Sequence, residues 1–350
     1  FGLDMDFFDY RLKFKIDYYY RWSTGVIANS KIPKTIYLYE NRWVNANDIS
    51  NEGLEIEVVG DIIRGENWSW RTRFNASRNW NRLKKTFDGK DVGLTNGIPH
   101  HMLGKPLYNL WAFVHGKVYE HESEIPTYYT PNGEKYTMYL ADNKYPFGVG
   151  MKEVVDMNGD GIADYRDKRN MGQTLPKIYG GWAHEVRWKN WDLNVLLNYS
   201  FGRKIACMYR SDSMDPKEVI GGSNLYVDLD DVRFWEKPGD AAIKGIYPQL
   251  SYFDATMLQF SLIGGVLSSQ VETVNYVKLK QLTIGYNVPR EWCRKIKLDN
   301  VRVFFTGENL FTITGYSGED PEVVSIFTGI DNYRAYPLAR KLTLGLTVNF

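Results

Sequence analysis

The sequence is short of several things at once, and each shortage removes a class of protein. Two cysteines in 350 residues are too few for a disulfide framework. No run approaches the roughly eighteen apolar residues of a membrane-crossing helix, and mean hydropathy is −0.41. Barrel strands bury only alternate residues in lipid, so this second shortage leaves a membrane barrel open. Charge of one sign is missing too. The net value is +1, so there is no basic field for nucleic acid. The histidines show no ligand spacing: His115, His121 and His184 are isolated. His100 and His101 are adjacent, and sequence neighbours seldom converge on one metal. No paired-carboxylate or Ser/His/Asp pattern rises above chance, so no enzyme is expected.

What is abundant is aromatic. Fully 15% of the chain is Phe, Trp or Tyr, with 25 Tyr and 11 Trp, as strands with aromatic belts require. Near residue 350, Leu342, Leu344, Leu346, Val348 and Phe350 alternate with Lys341, Thr343, Gly345, Thr347 and Asn349. A period of two is a strand with one apolar and one polar side. The same alternation runs through 11–22, 53–60, 68–80, 178–187, 192–203, 276–288 and 301–311. In 276–288 the apolar phase slips between Leu279 and Leu282, which a bulge explains. A short helical piece is expected within 289–297. Residues 1–6 read as the tail of a further strand, so the chain is expected to be the C-terminal part of something larger.

The connections alternate. After residues 22, 80, 203 and 314 they span roughly 20 to 95 residues, against a usual hairpin loop of 2–5. At 64–67, 188–190 and 289–297 they are short. This is the order of an all-β, transmembrane antiparallel β-barrel, with tight turns in the periplasm and long loops outside. The expected extracellular loops are about 23–50, 82–175, 206–271 and 315–335. Phe7, Phe8, Trp68, Trp70, Trp188, Trp191 and Trp292 would form an inner aromatic girdle; Tyr18, Tyr20, Trp22, Trp80, Phe201 and Phe311 an outer one. A soluble β core gives the same alternation with those aromatics packed inside, and the pattern leaves that alternative open. In a barrel Cys207 and Cys293 lie at opposite rims, too far apart for a disulfide.

One motif carries chemistry. Asp156-Met-Asn158-Gly-Asp160-Gly161-Ile162-Ala-Asp164-Tyr-Arg-Asp167 places oxygen side chains at its first, third, fifth, ninth and twelfth positions, with glycine at the sixth. That is the spacing of a calcium loop. Gly161 permits the sharp bend and Ile162 offers its main-chain carbonyl. Asp167 stands where a longer Glu is usual, so its reach is shorter. The opposing reading is an Asx-rich turn that holds itself without metal. The flanks are not helical, so the expectation is a single structural Ca2+ staple in an extracellular loop. In that loop Trp111, Phe113, Tyr119, Tyr128 and Tyr129 are candidates for stacking on a ligand, with packing inside the loop as the alternative.

Several stretches together resemble one family, the SusC/RagA group of TonB-dependent outer-membrane transporters of Bacteroidetes. They are Asp156-Met-Asn-Gly-Asp-Gly with Gly172, Pro176-Lys177 and Tyr179-Gly180-Gly181; Trp191-Asp-Leu with Ser200-Phe201-Gly202; and the run from Tyr276 to Pro289. Val301 to Phe311, Asp320-Pro321-Glu322, Asn51 to Glu55 and Gly104 to Tyr108 fit as well. The resemblance implies a barrel of about 22 strands, of which this chain supplies about the last eight, with plug, TonB box and N-terminal extension outside it. It further implies active import of oligosaccharides or peptides across the bacterial outer membrane, energised through TonB. A SusD-like lipoprotein lid would contact the loops 82–175 and 206–271. A passive porin or adhesin-type barrel is the alternative from another class, and a secreted calcium-stapled carbohydrate-binding β-sandwich is the soluble one.

Overall fold

Alternation over long stretches builds one sheet. The computed structural model describes residues 1–31, 41–86, 89, 92–95, 98–140, 145–208, 233–243, 246–249, 266–331 and 335–350; at 28–31, 41–42, 46, 92–95 and 98–100 it describes backbone alone. Nine antiparallel strands follow one another in chain order. They are β1 (Gly2–Phe7), β2 (Leu12–Lys31), β3 (Asn41–Arg64), β4 (Trp68–Lys85), β5 (Ile178–Trp188), β6 (Trp191–Cys207), β7 (Val271–Asn287), β8 (Asn300–Thr314) and β9 (Lys341–Asn349). A two-residue strand, Ile330–Asp331, adds in parallel to Ala206 and Cys207 of β6. Helix α1 (Arg290–Lys295) fills the turn between β7 and β8. Cys293 is buried on that helix, and both cysteines are free thiols.

The register puts like with like. One apolar row crosses the sheet through Phe14, Val58, Phe74, Trp182, Leu197, Leu279 and Phe311. It belongs to a face left uncovered, where Leu342, Leu344 and Leu346 are 66%, 78% and 65% exposed. The expected girdle residues at both ends, Phe8, Trp188 and Trp292 at one and Tyr20, Trp22 and Phe311 at the other, are exposed as well. Trp70 and Trp80 are half-buried, Trp70 with its indole N–H donated to His184 Nδ1 at 3.3 Å.

The opposite face is polar and cross-linked by charge. Arg71 and Arg64 both reach Asp61, at 2.6 and 2.7 Å. Arg302 reaches Asp192 at 2.6 Å. Glycines on this face lie under aromatic rings of the neighbouring strand: a Cβ on Gly345 would stand 2.1 Å from the Phe304 ring, and one on Gly53 2.3 Å from Tyr19. Only hydrogen fits at those two crossings.

The expected first loop changes, and the expected bulge holds. Residues 23–31 and 41–50, expected as loop, continue β2 and β3 as a hairpin arm, paired for instance through Ser23 with Ile49 and Asn29 with Trp43. The arm's sequence does not alternate apolar with polar residues, so it shows no period of two, and its ladder of backbone bonds carries it instead. Register slips near Gly25 (φ 63°) bend it. The phase slip in β7 is a bulge: pairing shifts between Leu279 and Gln281 and leaves Lys280 out of the ladder. The connections after β4, β6 and β8 are long and those before β4, β6 and β8 short, as the sequence implied, but the one between β2 and β3 shrinks to nine residues.

Candidate functional site

The long connection between β4 and β5 is a small folded unit. Short ladders tie Asn109–Phe113 to Lys168–Gln173, His115–Val118 to Lys152–Val154, and Thr127–Tyr129 to Lys135–Thr137. Inside them sits a core of Phe113, Tyr119, Ile125, Met138, Leu140, Phe147, Met151, Val154 and Ala163. These strands are too short and irregular to show a period, which is why the stretch reads as structureless in sequence.

Burial sorts the five aromatic candidates. Phe113 and Tyr119 are each 1% exposed and are core residues, so the structure withdraws them from ligand contact. Tyr128 is half-buried and stacks on Tyr136 at 5.8 Å. Tyr129 is 68% exposed. Trp111 is half-buried, and its indole nitrogen has no hydrogen-bond partner. Lys168 stands over the rings of Phe113 and Tyr165, at 4.9 and 4.7 Å. Burial lowers its pKa to about 8.

The motif 156–167 lies against this core. Asp156 Oδ1 accepts the N–H groups of Asn158 and Gly159, and Oδ2 accepts that of Gly161 at 2.7 Å. Burial pushes the Asp156 carboxyl up, but the N–H bonds from Gly161 and Gly159 and the Tyr128 hydroxyl outweigh it and hold it low. Asp160 accepts from Ile162 N–H, and Asp164 caps the following turn through Arg166 N–H. Asp167 is fully buried; it accepts the N–H groups of Met157 and Asp164 and so closes the loop's two ends. Its burial raises its pKa. Gly161 (φ 73°) sits where a Cβ would meet the rings of Tyr128 and Tyr136 at 2.8 Å. Arg166 bridges Asp160 and Asp164, at 2.6 Å to each.

The donor chemistry of hard carboxylate and carbonyl oxygens suits calcium. Two of those carboxylates already have Arg166 as their counter-charge. Among the described residues no three such groups converge closely enough to hold an ion as they stand.

The connection between β6 and β7, expected as the loop 206–271, lies largely outside the described residues. Its described parts pack on the first unit. Phe113 N–H donates to Val266 O at 2.9 Å. His115 N–H donates to Ser268 Oγ, which also lies 2.8 Å from His115 Nδ1. Glu120 accepts the N–H groups of Gly239 and Ala241 at 2.6 and 3.0 Å. Burial, and secondarily Lys152, presses the His115 pKa down to about 4. Neither Glu120 nor His115 stood out in the sequence, because their partners lie more than a hundred residues away.

A sheet with one exposed apolar face, one charged face, tight turns at one end and folded units at the other has the architecture of a barrel wall. The comparisons agree. No family model matches, but TonB-dependent receptor P3 of Formosa agariphila is 27% identical over the whole chain, and TonB-dependent receptor SusC of Bacteroides thetaiotaomicron is 24% identical. These matches take up 33% and 31% of those relatives, so the chain spans about a third of their length. The structure of the RagAB peptide transporter matches all of the chain and 34% of its own, at a TM-score of 0.68 and 19% identity. The same importer in its open-open state gives 0.72. Over its whole length the chain is similar to TonB-dependent receptors, and its sheet matches part of the antiparallel barrel of the RagAB transporter. Its relatives are receptors and transporters, not enzymes.

Proposed function

We propose that the protein to which this chain belongs imports oligosaccharides or peptides across the bacterial outer membrane, is driven through TonB, and works with a SusD-like lipoprotein lid. The observation that supports this most is the pair of unlike faces. An uncovered apolar belt of this extent on a soluble protein would be an aggregation surface, whereas lipid satisfies it at no cost. The charged face then lines the lumen, and the folded unit of 109–173 with the described parts of 233–271 stands at the outer rim, where a lid and a substrate meet the barrel. There the exposed ring of Tyr129 is the candidate aromatic group placed to touch either one.

Cells carrying the whole protein test this reading. Extraction from washed outer membranes should require detergent. Uptake of either a labelled oligosaccharide pool or a labelled peptide pool should disappear when TonB is deleted. Uptake that persists without TonB supports a passive porin instead, and a protein soluble without detergent defeats the barrel altogether.

Calcium is proposed as a staple for 156–167, held by Asp156, Asn158, Asp160, the Ile162 carbonyl, Asp164 and Asp167. When bound it would supply a divalent charge that draws these oxygens together. Arg166 must release Asp160 and Asp164 for that to happen, so the loop has one cation or the other.

A further inference from the structure

Arg203, near the outer end of β6, is 4% exposed. Among the described residues its guanidinium donates only to main-chain carbonyls: Nε to Thr174 O at 3.1 Å, Nη1 to Pro321 O at 3.2 Å and Nη2 to Val324 O at 3.1 Å. Taking a cation out of water is expensive, and proteins usually offset it with an anion. Here a fan of carbonyl dipoles does so. The planar fork, with five donors, is the side chain able to reach two separate loops at once.

Those loops are otherwise distant in sequence. Thr174 closes the folded unit between β4 and β5, while Pro321 and Val324 belong to the connection between β8 and β9. The buried hydroxyl of Thr174 lies against the carbonyls of Tyr108 and Ile326, joining the same two loops again. Beside them Lys278, 2% exposed, reaches Asp320 at 2.9 Å and Glu322 at 2.8 Å, and Lys280 reaches Glu322 at 2.8 Å. Burial pushes Glu322 up, but these two lysines outweigh it. Farther on, Ala206 N–H donates to Gly329 O and Met208 N–H to Asp331 O, at 2.8 and 2.9 Å. The stretch from 320 to 331 is therefore fastened to the wall through Arg203, through Lys278 and Lys280, and through the main chain of Ala206 and Met208, and to the first unit through Thr174.

We propose that Arg203 is a buried latch, a positioning residue that fuses barrel strand β6, the end of the first folded unit and the stretch 320–331 into one body. This stretch stays closed on the wall through the working cycle and is not a gate. Its staying closed during import rests on the import reading; the fastening itself does not.

Hydrogen exchange on the whole purified protein in detergent reads the latch. Arg203→Met keeps the length and removes every donor. It should speed exchange of amides within 322–331 by roughly tenfold or more, since a fastened loop then opens locally, and leave β7 and β8 protected. Arg203→Lys, with charge but no fork, should fall between. Unchanged protection in 322–331 overturns the latch, and so does an equal loss throughout the wall. If Arg203→Met fails to assemble, Thr174→Val and Lys278→Met must each loosen 326–331, and no loosening in either overturns it too. Closure is tested with Asp331→Cys, whose partner across the parallel pairing is the native Cys207. Uptake should be the same oxidised and reduced; a block that reduction relieves shows that the stretch opens and overturns the proposal. Absence of uptake in the parent protein would instead count against import, with the exchange result standing.

Discussion

Leu140→Ala should unfold the unit between Asn109 and Gln173 and leave the barrel standing. Leu140 is 2% exposed and sits in the core with Phe113, Tyr119, Met138 and Phe147. Truncating a buried leucine costs about 2–5 kcal/mol, the transfer of the lost carbons plus the cavity they leave. A unit of this size holds about 3–10 kcal/mol in total. One substitution thus removes a large part of it. The wall does not depend on that core, because its strands are held by their own cross-strand ladders. Two measurements on the whole protein separate the outcomes. Trypsin should cut within 109–173 much faster than in the parent, while the unboiled barrel keeps its fast migration in a denaturing gel. The reasoning is refuted if migration changes while cutting does not, or if both change together at every temperature.

Acid should loosen the contact between the two outer units. Folding lowers the His115 pKa from 6.5 to about 4, so between those values the unfolded state binds the proton and the folded state does not. Stability therefore falls as pH drops from 6.5 to 4, by at most about 3 kcal/mol. Proteolysis near Ser268 should rise from pH 7.5 to 4.5, and His115→Asn should abolish the rise. Asp156→Ala with Asp160→Ala should leave barrel assembly intact and remove calcium-dependent protection of 145–175; equal calcium protection in mutant and parent would sink the staple. Gly345→Val drives a side chain into the Phe304 ring and should cost about 1–3 kcal/mol by overpacking. Adding Phe304→Ala should recover most of that in a denaturant midpoint, and additive losses would mean the two sites do not couple.

Much of the wall was readable because strand faces are a local property. Leu342, Leu344 and Leu346 share a face through backbone geometry alone, and the slip after Leu279 announced a bulge before any neighbour was known. The arm of β2 and β3 was not readable, since a polar ladder leaves no apolar period. The candidate site divides the same way. The spacing from Asp156 to Asp167 marked the loop, but not that Arg166 would stand between Asp160 and Asp164.

The sequence by itself therefore determined which residues lie on the apolar face of the wall and which on the polar one, where the tight turns fall, and which stretch is built from closely spaced carboxylates. All of these follow from periods and spacings of a few residues. Only the tertiary structure decided that Phe113 and Tyr119 are core while Tyr129 is surface. It also decided that the carbonyls of Thr174, Pro321 and Val324 meet on one guanidinium. The physical reason is separation along the chain. Arg203 and Val324 are 121 residues apart, and no local pattern encodes which buried donor will find which distant carbonyl.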